Sequence, residues 1–285
     1  MLTSFDHATV AVSDLDAAVD AYQSLLGFAP LWRGAARELG TRTALFGFSN
    51  ALIELLAPDP TAPEAEGLRS HIGTRGEGLQ SICFGSADAA AASDELRARG
   101  FCATAPQHGT ARSHDGLERG YRIVELSPRS TRGLAVAIVE REAALFAADT
   151  GGRDPSAVHA LDHVVVRSAD PDAANTLYGR GLGIRLALDR AFGDTRMLFF
   201  RVGGVTLEIV EDRSLAGTDT LYGLAYRVRD IEAARARLRA AGVDASDVRA
   251  GNKPGTQVFS VRAGTCGVPT LFLSDPAREA QKPKS

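Results

Sequence analysis

The sequence has few of the residues that mark several functional classes. Its 285 residues include only three cysteines, at Cys83, Cys102 and Cys266, which form no CxxC pair, so neither a disulfide framework nor a zinc knuckle is predicted. No run of about 18 apolar residues occurs, and the first residues, MLTSFDH, lack the basic and apolar regions of a signal peptide. We therefore expect no membrane partner and a cytoplasmic location.

The sequence also lacks an excess of charge of one sign. The formal net charge is -3, with charged residues at 24% and hydrophobic residues at 45%, which is ordinary for a soluble globular protein. Without a basic field, we expect no nucleic-acid partner. There is no glycine-rich phosphate loop after a strand and no Ser-His-Asp order of the kind hydrolases use. The expected partner is a small molecule.

An internal repeat is the main feature that the sequence does have. The segment 5–28, FDHATVAVSDLDAAVDAYQSLLGF, returns at 161–184 as LDHVVVRSADPDAANTLYGRGLGI. Each copy starts with Asp-His in a β-branched run, continues into a helical pattern opened by an acidic residue, and ends at a glycine, Gly27 or Gly183. Each copy therefore predicts a strand followed by a helix.

Two further units of the same outline start near Leu79 and Leu221, which makes four strand-helix-three-strand units in tandem. We predict an α+β fold with modules at 1–140 and 160–275, a linker at 141–159 and a disordered tail at 276–285. The segment 58–78 is rich in Pro, Gly and Glu and shows no periodicity, so it predicts a long, mobile loop near the opening of the first module. Further predictions are strands at 102–105 and 243–245 and a helix at 171–182.

The four units, with His7 and His163 at the same place in the first and third, resemble the vicinal-oxygen-chelate superfamily. That superfamily includes glyoxalase I, extradiol dioxygenases, and fosfomycin and bleomycin resistance proteins. His7 precedes Glu54 by 47 residues, and His163 precedes Glu208 by 45. The resemblance covers most of the chain. It implies two tandem glyoxalase-like modules, each of two βαβββ units that form a half-open barrel.

The resemblance also implies a divalent metal inside such a barrel, with two open positions for neighbouring substrate oxygens. The first strand supplies one ligand and, in glyoxalase I, the fourth strand supplies a carboxylate. Those places are held by His7 and Glu54 in one module and by His163 and Glu208 in the other, and the glutamates are then the catalytic candidates. Imidazole with carboxylate suits iron, manganese, zinc or nickel, although two ligands alone are too few for a stable site.

The second and fourth units depart from the family pattern. Ser81 and Gly223 stand where a histidine is expected, and Ala137 and Leu271 stand where a glutamate is expected. Both pairs of ligands that the partner units supply in the family are therefore missing from this sequence.

Three interpretations remain open. The protein is a metal-dependent lyase, isomerase or dioxygenase that takes its other ligands from His71, Gln80, Cys266 or the partner chain of a homodimer. Alternatively, it is a metal-free binding or resistance protein whose barrel is a pocket. In the third interpretation, the histidines and glutamates are core residues that satisfy each other, because an unpaired carboxylate in an apolar barrel is costly.

Strand parity gives Glu54 apolar neighbours on its own face, so we predict that it points into the barrel together with His7. Arg42, Arg75 and Lys253 are the candidates for binding a carboxylate or phosphate of the substrate, because cationic side chains recognise such groups. The first module carries the long loop and the arginine cluster. We therefore favour the first module as the working site.

Overall fold

The computed structural model describes residues 2–113, 115–142 and 154–275. Most of the linker predicted at 141–159 and all of the tail predicted at 276–285 lie outside these ranges. The strands of the first half are β1 (Ser4–Ala11), β2 (Trp32–Ala36), β3 (Thr41–Gly47), β4 (Leu52–Pro58), β5 (Gly78–Gly85), β6 (Gln107–Ser113), β7 (Glu118–Leu126) and β8 (Ala135–Arg141). Its helices are α1 (Leu15–Leu26), α2 (Glu66–Arg75) and α3 (Ala89–Ala98), with short 3₁₀ turns at Arg37–Leu39 and Pro63–Ala65.

The second half repeats this order of strands, but residues 212–219, between its fourth and fifth strands, form no counterpart of α2. Its strands are β9 (Ala160–Ser168), β10 (Arg185–Phe192), β11 (Thr195–Val202), β12 (Val205–Glu211), β13 (Thr220–Arg227), β14 (Arg249–Ala250), β15 (Gln257–Val261) and β16 (Thr270–Ser274). Its helices are α4 (Pro171–Asn175), which continues as a π-helix at Thr176–Gly181, and α5 (Ile231–Ala240). No helix within the described ranges is long and apolar enough to cross a membrane.

Aspartate side chains begin all of these α-helices except α2. The carboxylate of Asp14 accepts two backbone N–H groups of the first turn of α1, at 2.9 and 3.1 Å. Asp88, Asp170 and Asp230 cap α3, α4 and α5, each by accepting one such N–H group. These oxygens satisfy N–H groups that have no partner within the helix. Gly27 ends α1 with a φ of 85°, so the strand, helix and glycine exit predicted for the first copy are confirmed.

The first eight strands form a closed barrel in the order β1-β4-β3-β2-β6-β7-β8-β5. β1 pairs parallel with β4 and antiparallel with β5, so the two units meet along β1 and β5. On the opposite side, β2 and β6 close the barrel through only two residue pairs, Gly34 with Ser113 and Ala35 with Arg112.

The last eight strands form an open sheet in the order β10-β11-β12-β9-β13-β16-β15-β14. β9 pairs with β13 as β1 pairs with β5. The end strand β14 has only two residues, and β10 and β14 stay apart as the two edges of the sheet. The α+β fold of two tandem glyoxalase-like modules is confirmed, with one module closed and the other open.

One continuous apolar cluster runs through both halves and packs the helices against the outer faces of the sheets. The rings of Phe48 and Tyr226, one from each half, lie 5.6 Å apart. Asn50 Nδ2 donates to the backbone carbonyl oxygen of Leu161 at 2.7 Å, and Asn50 Oδ1 accepts from the backbone N–H group of Leu161 at 3.0 Å. The two halves therefore share apolar packing and polar contacts.

The structure corrects the long loop predicted at 58–78, because α2 occupies much of this segment. Pro63, at the first position of the 3₁₀ turn, has a φ that suits a helical start. Arg69 then donates to the carbonyl oxygens of Asp59 (3.1 Å) and Ala62 (2.8 Å). Leu68 is the only buried residue of α2, so its sequence carries no apolar periodicity that predicts a helix.

Three smaller predictions also need correction. At 102–105 only Ala103 forms a single bridge, with Leu126, and the strand of this region is β6, whose residues are mostly exposed and polar. At 243–245 only Ala245 forms a bridge, with Val261. The helix predicted at 171–182 is α-helical only as far as Asn175 and then widens into the π-helix.

Candidate functional site

The pairing of β1 with β4 brings His7 and Glu54 to one face of the first barrel. Thr9 is the register partner of Glu54, and His7 lies two residues before Thr9, so all three side chains share the inner face. The alternate residues, such as Ala8 and Val10, are fully buried on the outer face beneath the helices. The interior therefore collects the polar residues of these strands.

Two hydroxyl groups hold the carboxylate of Glu54 next to His7. His7 Nε2 lies 3.5 Å from Glu54 Oε2. Thr9 Oγ1 donates to Glu54 Oε2 at 3.0 Å, and Thr43 Oγ1 donates to Glu54 Oε1 at 2.9 Å. Each carboxylate oxygen therefore has a neutral donor, which offsets the cost of placing a charge in the barrel.

A buried ion pair supports the other side of the imidazole. His7 Nδ1 lies 2.6 Å from Asp6 Oδ1, and Arg141 binds both oxygens of Asp6 at 2.6 and 3.0 Å. Burial alone would raise the pKa of Asp6. The hydrogen bonds and positive charges of His7 and Arg141 have the larger, opposite effect, and the net pKa is well below the ordinary value. Because this ionised carboxylate only accepts hydrogen bonds, Nδ1 of His7 donates to it, and Nε2 faces Glu54.

These groups open into a cavity of about 270 Å³ inside the barrel. Tyr121 contributes a phenol whose pKa is raised by burial and by the negative charge of Glu54. Trp32, the only tryptophan of the chain, packs its ring into the same wall. The lining consists of His7, Trp32, Ala36, Leu39, Thr41, Thr43, Leu45, Glu54, Leu56, Ala111, Glu118, Arg119, Gly120, Tyr121, Ile123, Val139, Arg141 and Glu142.

The second module repeats the pair without the same support. His163 Nε2 lies 3.8 Å from Glu208 Oε2, and His163 Nδ1 lies 3.0 Å from Asp162. The positions of Thr9 and Thr43 are taken by Val165 and Met197, which offer no hydroxyl group to Glu208.

The pKa values of Glu208 and His163 are both raised, but for different reasons. Burial raises the pKa of Glu208, although the charge of His163 opposes this. For His163 burial lowers the pKa, but its hydrogen bond with Asp162 and the charge of Glu208 raise it above the ordinary value. A cavity of about 550 Å³ touches His163, Gly223, Cys266 and Leu271, and Glu208 is not part of its lining.

The strand register locates the ligand positions that the sequence leaves empty. Ser81 occupies on β5 the place that His7 occupies on β1, and Ala137 is the counterpart of Glu54. Gly223 and Leu271 hold the equivalent places in the second module. No group of three or more His, Cys, Asp or Glu side chains is positioned to hold one metal ion in the part of the chain that the structure describes, so His71 and Cys266 complete no set there.

The donor chemistry therefore does not fit a family metal site made by one chain. Protein sites for zinc and similar ions use three or four ligands, whereas His7 and Glu54 provide two. The cationic group of Arg141 lies 3.4 Å from His7 Nδ1 and adds positive charge beside the pair.

The three predicted substrate-binding residues lie away from the His-Glu pairs. Arg42 contacts Asp16 at 3.1 Å in a separate groove outside the barrel. Arg75 is exposed at the end of α2, and the ammonium group of Lys253 contacts Asp275. Their roles in substrate binding stay predictions.

Sequence reasoning missed the residues that support His7 and Glu54. Asp6 was visible as the first residue of the repeated Asp-His pair, and Thr9 shares the strand parity of His7. Arg141 gave no signal, because it is 135 residues away from Asp6 in the sequence. Trp32 and Tyr121 lie on strands without any repeat motif.

Comparisons with known proteins agree with this architecture. A family model described as "Glyoxalase-like domain" matches residues 5–186, and one described as "Glyoxalase/Bleomycin resistance protein/Dioxygenase superfamily" matches residues 162–259. No curated protein matches the chain.

Two solved structures share the fold over nearly the whole chain, and a third aligns with half of it. A triple mutant of 4-hydroxymandelate synthase from Streptomyces coelicolor is 18% identical, with a TM-score of 0.71 over 96% of this chain and 92% of that one. A hypothetical protein from Staphylococcus aureus is 12% identical, with a TM-score of 0.64 over 96% and 100%. Methylmalonyl-CoA epimerase from Streptomyces coelicolor is 27% identical over 50% of this chain and 100% of that one, with a TM-score of 0.42.

Proposed function

Since the chain belongs to the glyoxalase-like domain family of the vicinal-oxygen-chelate superfamily, we propose that it is a small-molecule protein whose ligand occupies the cavity of the first barrel. One observation carries this proposal. The first barrel is closed around a cavity into which His7 and Glu54 project, each held by further side chains. The second sheet is open, and its Glu208 does not line the cavity that touches His163.

The lining favours a ligand with a polar group and an apolar body. His7 Nε2 accepts a proton or a hydrogen bond from the polar group, and Asp6 stabilises the imidazolium that proton transfer forms. Glu54, held by its two threonines, is the second proton acceptor. Trp32 and Leu45 contact the apolar body. The expected chemistry is therefore binding with proton transfer, as in a lyase or an isomerase.

A divalent metal is the competing candidate, and the 3.5 Å between His7 Nε2 and Glu54 Oε2 favours it. Two atoms at this separation are able to bind one ion at metal-ligand distances of about 2 Å. Because the described residues of one chain supply only these two ligands, the remaining ones come from the bound small molecule or from a second copy of the chain.

A pair of cavity-filling variants tests where the ligand binds. The probe is N-phenylnaphthylamine, an apolar fluorophore with one N–H group, and Trp32 fluorescence reports its arrival because the chain has no other tryptophan. We expect Ala111→Phe, which fills the first cavity, to abolish quenching of Trp32, and Ser260→Phe, which fills the second, to leave it unchanged. Loss of binding only in Ser260→Phe, or in neither variant, contradicts the proposal.

Equilibrium dialysis against Mn²⁺ and Zn²⁺ separates the two candidates. Stoichiometric binding that disappears in Glu54→Gln supports the metal. A protein that takes up neither ion under conditions where it binds the apolar probe supports proton transfer by His7 without a metal.

A further inference from the structure

We propose that a groove outside the first barrel binds the anionic end of the same ligand, which makes the ligand an organic acid with an apolar body. This inference rests on the proposed function, because the barrel cavity is assigned to the apolar body. The anionic group is a carboxylate, a phosphate or a sulfonate, which share the chemistry that the groove recognises.

The groove lies directly beside the barrel cavity. It has a volume of about 460 Å³, and it shares two wall residues with the cavity, Trp32 and Arg119. A molecule that extends from one space into the other therefore contacts the indole ring and the guanidinium group.

The groove has more positive than negative side chains. Arg33 and Arg42 both bind the single carboxylate of Asp16, the second of them at 3.1 Å. Their charges lower the pKa of Asp16, chiefly through the hydrogen bonds from Arg42 and Arg33. The other carboxylate of the groove belongs to Asp115, which accepts a hydrogen bond from Ser113. With Arg119, three guanidinium groups face two carboxylates.

Arg119 is the cation best placed to meet a ligand. Within the part of the chain that the structure describes, no hydrogen bond or ion pair involves its guanidinium group. Because the side chain lines both spaces, a carboxylate, phosphate or sulfonate in the groove is able to take both of its terminal N–H groups.

Trp32 supplies an independent indication that a polar ligand passes this point. Its side chain is only 6% exposed, and its indole Nε1–H has no acceptor among the described residues. A buried donor without an acceptor is costly and uncommon in native proteins. A ligand oxygen between the groove and the cavity removes that cost.

Apolar side chains surround the same opening. Of the five large apolar side chains exposed in the described residues, Leu31 and Leu117 line the groove and Leu39 lines the cavity. Exposed apolar groups gathered beside a pocket mark a binding surface more than scattered ones do. Together with the arginines, they fit an amphiphilic acid.

A matched pair of probes tests the inference separately from the proposed function. Anilinonaphthalenesulfonate and N-phenylnaphthylamine share the same ring systems, and only the first carries an anion. We expect Arg119→Gln to lower the affinity for the sulfonate probe by about tenfold, the loss typical of a charge-assisted hydrogen bond. The affinity for the neutral probe is expected to stay unchanged. Arg122→Gln is the control, because it removes the same charge from an exposed position on the same strand.

The outcomes distinguish the two ideas. Equal effects of Arg119→Gln on both probes, or equal effects of Arg119→Gln and Arg122→Gln on the sulfonate probe, overturn the anionic groove while the cavity stands. If neither probe quenches Trp32 in the unchanged protein, the proposed function is wrong, and the inference falls with it. Competition by decanoate against decanol and decyl phosphate then shows which anion the groove prefers.

Discussion

The two modules carry the same His-Glu pair in the same register but support it differently. In the first, Thr9 and Thr43 donate to Glu54, and the barrel is closed around it. In the second, apolar side chains take the places of both threonines, and the sheet is open. The comparison teaches that a repeated ligand pair is not a repeated site, because its neighbours decide whether the carboxylate is hydrogen-bonded beside a cavity.

The largest expected difference between the modules is in the stability that the ion pair next to each histidine contributes. Asp6→Asn leaves the mostly buried Arg141, whose side chain is 18% exposed, without its counter-ion, so we expect a loss of about 3 kcal/mol in the free energy of unfolding. The matched change Asp162→Asn is expected to cost less, because Asp162 lies 3.5 Å from Arg227, whereas Asp6 lies 2.6 Å from Arg141. Urea unfolding of both variants measures the difference. Equal losses mean that the ion pair does not distinguish the modules.

Opening the closed barrel is the second way to break the comparison. A Cβ at Gly34 meets the carbonyl oxygen of Arg112 at 2.2 Å and the ring of Trp32 at 2.5 Å, so Gly34→Ala forces the β2–β6 seam apart. We expect a cost of about 2 kcal/mol and a shift of the Trp32 emission toward that of a solvated indole. Gly73→Ala in α2 is the control, because its Cβ meets nothing within 4 Å. An unshifted emission in Gly34→Ala contradicts the closure.

Exchanging one hydroxyl group between the modules sharpens the comparison. Thr9→Val removes a donor from Glu54 at nearly constant shape, and we expect a loss of about 1.5 kcal/mol. Val165→Thr places the same donor beside Glu208, and we expect it to lower the pKa of that carboxyl. Thermal unfolding measures the first effect, and NMR titration of the side-chain carboxyl measures the second. A pKa of Glu208 that does not change in Val165→Thr contradicts this account.

The smallest expected effect is a pH dependence of opposite sign in the two modules. The folded-state pKa of Asp6 is lowered, so its contribution to stability is complete above the unfolded value of about 3.9 and is lost as the pH falls below it. The folded-state pKa of Glu208 is raised, so its contribution grows as the pH falls through the raised pKa toward the unfolded value of about 4.3.

Difference measurements isolate these two contributions. The stability of the unchanged protein minus that of Asp6→Asn is expected to shrink on acidification below about pH 4. The stability of the unchanged protein minus that of Glu208→Gln is expected to grow as the pH falls from neutral to about pH 4.5. Chemical unfolding across this range gives both curves, and slopes of the same sign exclude the proposed contrast.

Local signals in the sequence predicted the parts of the fold that depend on local chemistry. The acidic start and the glycine exit of α1 were visible, and so was the four-unit repeat. The repeat also located Ser81 and Ala137 at the places where the register now puts the counterparts of His7 and Glu54. These features need only neighbouring residues or a recurring pattern.

Features that depend on distant or polar residues were not predicted. Arg141 was placed at the start of the linker, but it is the last residue of β8 and binds Asp6 across the barrel. α2 and β6 have almost no apolar face, so periodicity gave no sign of either. The groove formed by Arg33, Arg42 and Arg119 exists because β2, β3 and β7 come together, and only Arg42 was a candidate beforehand.

The open sheet of the second module has a consequence for self-association. β10 is an edge strand, so the backbone groups on its free side are available to a further strand, and Leu188 on it is 44% exposed. Such edges are common starting points for aggregation. Arg185, Asp189 and Arg190 lie along this strand and place charges that a stacking partner must desolvate. If these charged residues are replaced with apolar ones, we therefore expect the protein to become less soluble while each module keeps its fold.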